Sequence, residues 1–271
     1  MKLCSILGGM SKNVDADPFD TVDLAVPAPA RTYKRAPSRR RYDDGCAAAH
    51  ALDLVGERWA LLIVRELLLG PRRFSDLRHS LQGISPNVLT QRLVDLEAAG
   101  VLEPRELPPP ASCRVYTLTD WGAELEPVIL GLLAWGVRSP DFQRGQALTA
   151  DAMALSFKAM FEPELAGRLR CHVTIIMNRH AYHIAIDQKR LAVARGDPPC
   201  APADASGWAG ATLHAEPVIV LHLAYGKRPL SQALAVEDCR VEGDTRLLER
   251  FLACFQVPAP ASVRNGNGRL L

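Results

Sequence analysis

A strip of polar side chains runs along the segment from Ser85 to Gly100. Ser85 carries a hydroxyl that can cap a helix, Pro86 suits the first helical position, and Gly100 suits the exit. At about 3.6 residues per turn, three leucines share one narrow sector, and four polar residues lie opposite or flank it. The leucines are Leu89, Leu93 and Leu96, and the polar residues are Asn87, Thr90, Gln91 and Arg92. Such side chains can hydrogen-bond to the edges of nucleic-acid bases. The alternative is the solvated face of an ordinary surface helix.

Three neighbouring elements are predicted to hold this strip in place. A helix from Phe74 to Leu81 is joined to it by the turn Gln82-Gly83, which is the layout of a helix-turn-helix unit. The segment Glu57 to Leu69 is apolar almost all round, as is typical of a central helix that its neighbours bury. After the strip, Leu102 to Leu107 and Arg114 to Leu118 indicate two strands around a proline-rich tip. That hairpin fits the wing of a winged helix.

Arginines border these elements and suit contacts to phosphate better than readout of bases. The predicted DNA-binding set consists of Arg72, Arg73, Ser85, Asn87, Thr90, Gln91, Arg92, Arg105 and Arg114. If several of the arginines engage phosphates, affinity falls with salt with a log–log slope of about −0.9 per phosphate neutralised.

Five short motifs lie between residues 43 and 138: Leu54-Val55-Gly56-Glu57-Arg58-Trp59, Arg73-Phe74-Ser75-Asp76-Leu77, Leu89-Thr90-Gln91-Arg92-Leu93, Tyr116-Thr117-Leu118-Thr119 and Trp135-Gly136. Through these motifs the segment resembles the HxlR-type winged-helix regulators. The resemblance implies a homodimeric transcription factor of MarR-like architecture, with recognition helices in successive major grooves of double-stranded DNA. A pseudo-palindromic operator follows from the twofold symmetry of such a dimer. Many members are repressors, and members commonly sense small molecules or oxidants.

The resemblance also draws attention to Cys46, because the family often keeps a redox-active cysteine in its first helix. The opposing interpretation is a buried, inert thiol. Reactivity would require a lowered pKa, which the sequence does not reveal.

Length and composition limit the possible classes of protein. The 271 residues favour two domains, and 48% hydrophobic residues are enough for real cores. The seven cysteines are odd in number and scattered without a CxxC pair, which argues against a disulfide framework or a structural zinc site and favours a cytoplasmic protein. No run reaches the ~18 apolar residues of a membrane span. A basic cluster from Arg31 to Arg41 suits phosphate contact, or is only a solvated arm.

The predicted fold class is a mainly α winged helix-turn-helix domain followed by an α+β domain. Its divisions are an irregular basic arm (1–40), the winged helix (41–139), a linker (140–147), the α+β domain (148–257) and a flexible tail (258–271). The α+β assignment rests on several short strands with helices at both ends.

The C-terminal half resembles sterol-carrier-protein-like domains through Leu230-Ser231-Gln232-Ala233-Leu234 and Val241-Glu242-Gly243-Asp244. That resemblance implies an apolar tunnel for a fatty acid-like or other hydrophobic small molecule. The predicted lining consists of Met153, Phe157, Met160, Phe161, Ile175, Met177, Ile184, Ile186, Trp208, Val220, Leu221 and Phe251. Core packing alone also explains such apolar stripes.

Three histidines, His172, His180 and His183, surround one predicted hairpin. Strand alternation need not bring them together, and no acidic or cysteine spacing supports a metal site. We expect no metal or cofactor, and the absence of a nucleophile-elbow sequence argues against a hydrolase.

These observations predict a dimeric DNA-binding transcriptional regulator, a repressor, whose DNA affinity is tuned by an apolar ligand in the C-terminal domain. The alternative is a lipid carrier whose winged helix serves only for dimerisation or protein contact. A third interpretation makes the C-terminal half a structural dimerisation module without a cavity.

Overall fold

A computed structural model describes residues 41–262 apart from 110–111, 144–145, 147, 197–207, 227 and 237–238. The predicted basic arm, residues 1–40, lies outside the described residues. So does the end of the predicted tail, residues 263–271. The earlier part of that tail is hydrogen-bonded to Arg138. The Arg138 Nε donates to the carbonyl of Ala259 (3.1 Å), and the Ala261 N–H donates to the carbonyl of Arg138 (2.8 Å).

The first half of the described chain contains six helices and a two-stranded hairpin. They are α1 (Ala47–Val55), α2 (Ala60–Leu67), α3 (Phe74–Ser80), α4 (Pro86–Ala98), β1 (Leu102–Glu106), β2 (Arg114–Leu118), α5 (Asp120–Ala123) and α6 (Glu126–Gly136). The antiparallel strands pair Leu102 with Leu118 and Glu106 with Arg114. This order is that of a winged helix-turn-helix, as the sequence predicts.

Local signals explain the bounds and the orientation of α4. The Ser85 hydroxyl accepts a hydrogen bond from the Val88 N–H (3.3 Å), and Pro86 follows at the first helical position. Leu89, Leu93 and Leu96 are fully buried in a core shared with α2, so the opposite side of α4 faces solvent.

Two backbone details differ from the sequence prediction. Thr119 as a cap, followed by apolar residues up to Trp135, predicts one helix that ends near Gly136. The structure divides this segment into α5 and α6, and Pro127, near the start of α6, explains the break because it cannot continue a helical hydrogen-bond ladder. The second helix begins at Ala60 rather than Glu57, because Trp59 adopts a left-handed conformation (φ 80°).

The second half forms a mixed five-stranded sheet with helices. Its elements are α7 (Ala150–Met160), α8 (Pro163–Ala166), β3 (Cys171–Met177), β4 (His180–Asp187), β5 (Arg190–Arg195), β6 (Ala209–His214), α9 (Pro217–Ala224), α10 (Leu230–Val236), β7 (Arg240–Gly243) and α11 (Thr245–Leu252). The strand order is β5-β4-β3-β6-β7, with β3 and β6 parallel and the other neighbours antiparallel.

Alternate residues of β3 are buried, so one face of the sheet packs against helices. Val173 lies opposite Ile184 of β4 and Ala211 of β6, and Phe157 of α7 and Phe251 of α11 belong to the same apolar cluster. The α+β architecture agrees with the prediction. The domain boundaries remain a prediction. Within the described residues, the helices are too short or too polar to cross a bilayer.

Candidate nucleic-acid interface

The solvent side of α4 presents the predicted polar strip. Asn87, Thr90 and Gln91 are exposed, whereas the leucines beneath them are buried. Gln91 does not point freely, because its Nε2 donates to Oδ1 of the buried Asp95 (3.0 Å). This bond leaves the amide oxygen of Gln91 as an acceptor and restricts the rotamers of the side chain.

Arg92 is the least exposed member of the strip, and its guanidinium is ion-paired within the protein. Its Nη1 lies 3.4 Å from Oε2 of Glu57 and 3.2 Å from Oδ2 of Asp95, and its side chain is only 18% exposed. Contact with a phosphate or a base would therefore require Arg92 to exchange these carboxylates for the nucleic acid. Asn87, Thr90 and Gln91 need no such exchange.

The wing formed by β1 and β2 carries two exposed arginines. Arg105 is 64% exposed and paired with Glu103 (Nη2–Oε1 2.6 Å), and Arg114 lies over the ring of Tyr116 (5.8 Å to the centroid). Arg73, at the N-cap of α3, is also exposed. Exposure leaves these three side chains accessible, and their phosphate contacts remain a prediction. Ser85 is exposed at the start of α4 while it caps that helix.

The phosphate role predicted for Arg72 is inconsistent with the structure. The Arg72 side chain is buried and forms an ion pair with Asp151 of α7, with Nε donating to Oδ2 at 3.1 Å. Its backbone exchanges two hydrogen bonds with Tyr116 of β2 (3.0 and 2.8 Å). Arg72 thus extends the wing sheet by one residue and joins it to the second half of the chain.

Asp151 is the centre of a buried polar group that we call the Asp151 cluster: Arg72, Asp151, Tyr182 and Arg195. Arg195 Nη1 donates to Asp151 Oδ2 (2.6 Å) and the Tyr182 hydroxyl donates to Oδ1 (2.7 Å). Arg195 Nη2 also donates to the carbonyls of Gly70 and Pro71 (3.0 Å each). The cluster therefore holds the loop between α2 and α3 at three consecutive residues, Gly70, Pro71 and Arg72.

The pKa values in this cluster have clear directions. Burial, reinforced by the Asp151 carboxylate, raises the pKa of Tyr182, so its hydroxyl remains a donor. Burial lowers the pKa of Arg195. Burial also acts to lower the pKa of Arg72, but the charge of Asp151 and the hydrogen bond to it, together with Tyr182 and Glu66, raise that pKa overall. Burial and the two arginines lower the pKa of His180, whose Nε2 lies 3.4 Å from Arg72 Nη1.

The predicted apolar lining lies in and around the packed core of the second half. Met153, Phe157, Met160, Ile175, Met177, Ile184, Ile186, Val220 and Phe251 are buried, and Phe161, Trp208 and Leu221 are half-buried. The ring centroids of Phe157 and Phe251 are 5.7 Å apart, and Phe157 is 4.6 Å from Phe255. Eight of the twelve predicted residues belong to the core cluster, and Phe161 and Leu221 pack against it, whereas the Arg170 guanidinium lies over the ring of Trp208 (4.5 Å to the centroid).

The three histidines do not form a metal site. His172 and His183 stack with centroids 5.4 Å apart, on the sheet face away from the core, and burial together with His183 lowers the pKa of His172. His180 belongs beside the Asp151 cluster. Among the described residues, no group of three or more potential ligands lies close enough to hold a metal ion.

Cys46 is exposed at the N-cap of α1, contrary to the interpretation of a buried thiol. The N–H groups of Ala48 and Ala49 lower its pKa, as expected for a thiolate at a helix start. By contrast, burial raises the pKa of Cys171 to about 11. Exposure and a lowered pKa are features that a redox-sensing thiol needs, and the sensor role of Cys46 remains a prediction.

We predict that iodoacetamide at neutral pH labels Cys46 much faster than Cys171, as measured by mass spectrometry of peptides.

We further predict that a mild oxidant releases DNA from the wild-type protein and that Cys46→Ser abolishes this response. A Cys113→Ser variant serves as the control, because Cys113 is a half-buried free cysteine in the wing. Release that persists in Cys46→Ser would contradict the sensor role.

Fold and surface together define a winged helix-turn-helix protein with a solvent-facing recognition helix. A family profile described as HxlR-like helix-turn-helix matches residues 54–143. The chain is 40% identical over 92 residues to an uncharacterised HTH-type transcriptional regulator, YvaP, of Bacillus subtilis, covering 84% of that protein and 34% of this chain. It is 34% identical over 101 residues to the B. subtilis regulator YdeP (77% of that protein, 36% of this chain).

A third relative, the HTH-type transcriptional regulator YodB of B. subtilis, is 36% identical over 85 residues, or 76% of its length and 31% of this chain. Because these alignments cover most of each relative at such identities, the chain belongs to the HxlR-like helix-turn-helix family. The matches to these three relatives cover about a third of the chain. The family profile ends at residue 143, so it does not include Asp151, Tyr182 or Arg195.

Proposed function

We propose that this protein is a DNA-binding transcriptional regulator that inserts α4 into the major groove and rests its wing on the phosphate backbone. The observation that carries the proposal is the exposure of Asn87, Thr90 and Gln91 on a helix whose other face is locked by three buried leucines. Family membership supports it, since the related chains are HTH-type transcriptional regulators.

We propose that the functional unit is a homodimer formed through α5 and α6. Trp121, Val128, Leu132 and Trp135 are exposed there, Trp135 to 75%. Val128, Leu132 and Trp135 recur at i, i+4 and i+7, so they share one side of α6. Large exposed apolar side chains grouped in this way are typical of an interface. A twofold dimer would place two copies of α4 on a pseudo-palindromic operator, with half-sites about one helical turn apart.

The second half of the chain is proposed to set DNA affinity through the Asp151 cluster. The backbone of Arg72 is hydrogen-bonded to β2 of the wing, and its side chain is ion-paired with Asp151 of α7. A shift of α7 relative to the five-stranded sheet would therefore move Arg72 and change the position of the wing. A ligand that binds one arrangement better than the other shifts the population by its differential affinity alone. Repression is the sign of regulation that we propose, because bound protein occludes the operator.

The sterol-carrier-like interpretation, with an apolar ligand inside the second half, remains a proposal. The methionines and aromatic residues of α7 and the sheet support it, because Met side chains adapt to varied shapes. The tight contacts of Phe157 mean that such a ligand must displace core side chains on entry.

We predict that Gln91→Ala weakens binding to the gene's own upstream DNA by roughly 5- to 150-fold, which corresponds to ~1–3 kcal/mol for a lost base contact. Fluorescence anisotropy at low salt measures this effect. Gln232→Ala, an exposed glutamine on α10, is the matched control and should bind like the wild type.

Two results would decide against the DNA-binding proposal. If the wild type does not bind duplex DNA even at low salt, the alternative of a lipid carrier with a winged helix used for dimerisation is favoured. If Gln91→Ala and Gln232→Ala both bind the DNA as tightly as the wild type does, α4 is not the recognition helix.

A further inference from the structure

A cleft of about 790 Å³ lies between the helix-turn-helix and the start of α7. Its apolar wall includes Trp59, Leu62 and Leu81, and its polar wall includes Arg65, Glu66 and Thr149. The cleft is separate from the α4 surface proposed to meet DNA and from the apolar core of the second half. Its size suits a drug-sized molecule.

Glu66 is the unusual group in this cleft. Its side chain is completely buried, and among the residues that the structure describes Oε2 has no hydrogen-bond partner. The other oxygen, Oε1, accepts from Arg65 Nε (3.0 Å), Arg65 Nη2 (2.6 Å) and the Thr149 hydroxyl (3.1 Å). A buried carboxylate oxygen without a donor is costly, and such an oxygen in a native protein requires an explanation.

Arg65 leaves that oxygen unsatisfied although it is the adjacent residue. Its Nε and Nη2 both donate to Oε1, whereas a planar cation that meets a carboxylate edge to edge, in the same plane, donates one N–H to each oxygen. The Arg65 side chain is partly exposed (17%) and also lines the cleft, so it can swing into solvent when another cation takes its place.

We propose that the cleft binds a small organic cation, an amidinium or primary ammonium joined to an aromatic or aliphatic group. The cation displaces Arg65 and pairs with both oxygens of Glu66, and the apolar group packs against Trp59, Leu62 and Leu81. The site adds a ligand class to the proposed function and does not depend on DNA binding, since its test is made on the protein alone.

Three probes of nearly equal size and shape test this proposal: benzamidine, benzamide and benzoate, which are cationic, neutral and anionic. Isothermal titration calorimetry with the full chain should show benzamidine binding about tenfold or more tightly than benzamide, with benzoate weakest, because only benzamidine forms charge-assisted bonds to Glu66. Equal affinity for the three probes, or no binding of benzamidine, would overturn the proposal.

Variants assign the preference to Glu66. Glu66→Gln should remove the advantage of benzamidine over benzamide, and Arg65→Gln should strengthen benzamidine binding several-fold because the competing cation is gone. Asp76→Asn is the control: its carboxylate also lines the cleft but already accepts from the Arg73 N–H (3.3 Å). If Glu66→Gln does not fold, Arg65→Gln decides alone, and weaker or unchanged binding there refutes the proposal.

Discussion

Asp151→Asn should lower the free energy of unfolding by about 3–5 kcal/mol, the cost of removing one partner from a buried ion pair. The substitution keeps the size of the side chain but removes the carboxylate with which two buried guanidinium groups, those of Arg72 and Arg195, form ion pairs. It also weakens the acceptor of the Tyr182 hydroxyl. Denaturant titration followed by circular dichroism measures the change.

Glu103→Gln is the matched control for this prediction. Glu103 pairs with Arg105 on the surface of the wing, where an ion pair contributes only about 0–1 kcal/mol. If Asp151→Asn cost no more than Glu103→Gln, the Asp151 cluster would not hold the loop before α3, and the proposed route from the second half to the wing would be lost.

Leu132→Glu and Trp135→Glu should each convert the protein to a monomer and weaken operator binding by about 100-fold or more. Both side chains are exposed on α6, so a charge there leaves the fold of the monomer intact but must be desolvated in a dimer. Loss of the second recognition helix removes the gain from simultaneous engagement of two half-sites, roughly 10²–10⁴-fold. Light scattering and anisotropy measure the two effects.

Leu165→Glu on α8 is the control, because Leu165 is a similarly exposed leucine (55%) outside α5 and α6. It should remain dimeric and bind DNA like the wild type. A monomeric wild-type protein, or dimeric Leu132→Glu and Trp135→Glu variants, would contradict an interface through α6.

The sequence predicted α4 well because each of its signals is local. Ser85, Pro86 and the leucine spacing act within one or two turns, and they fix both the ends of the helix and its buried side. The wing was predicted from the two strand segments on either side of its proline-rich tip. The division of α5 from α6 also had a local signal, Pro127, which the longer apolar stripe obscured.

The Asp151 cluster had no comparable signal. Arg72 and Asp151 are 79 positions apart and Arg195 is 44 positions beyond Asp151, so only the packing of the two halves brings them together. An arginine before a helix-turn-helix looks like a phosphate contact, and an aspartate at a helix start looks like a cap. Burial, which depends on the tertiary fold, decides otherwise for both residues.

The second half was predictable in class but not in detail. The turn signal Asn178-Arg179-His180 between two apolar segments indicated β3 and β4, whose inward side chains are fully buried. Whether apolar residues enclose a ligand or only each other depends on packing distances, such as that between Phe157 and Phe255, which no periodicity encodes.

Dimethyl sulfate footprinting of the upstream DNA tests most directly whether α4 lies in the major groove, since the reagent methylates guanine N7 there. The protein should protect guanines in two clusters about 10 base pairs apart, and Asn87→Ala with Gln91→Ala should remove the protection. Unprotected guanines under saturating protein, or protection that both substitutions leave unchanged, would contradict recognition through α4.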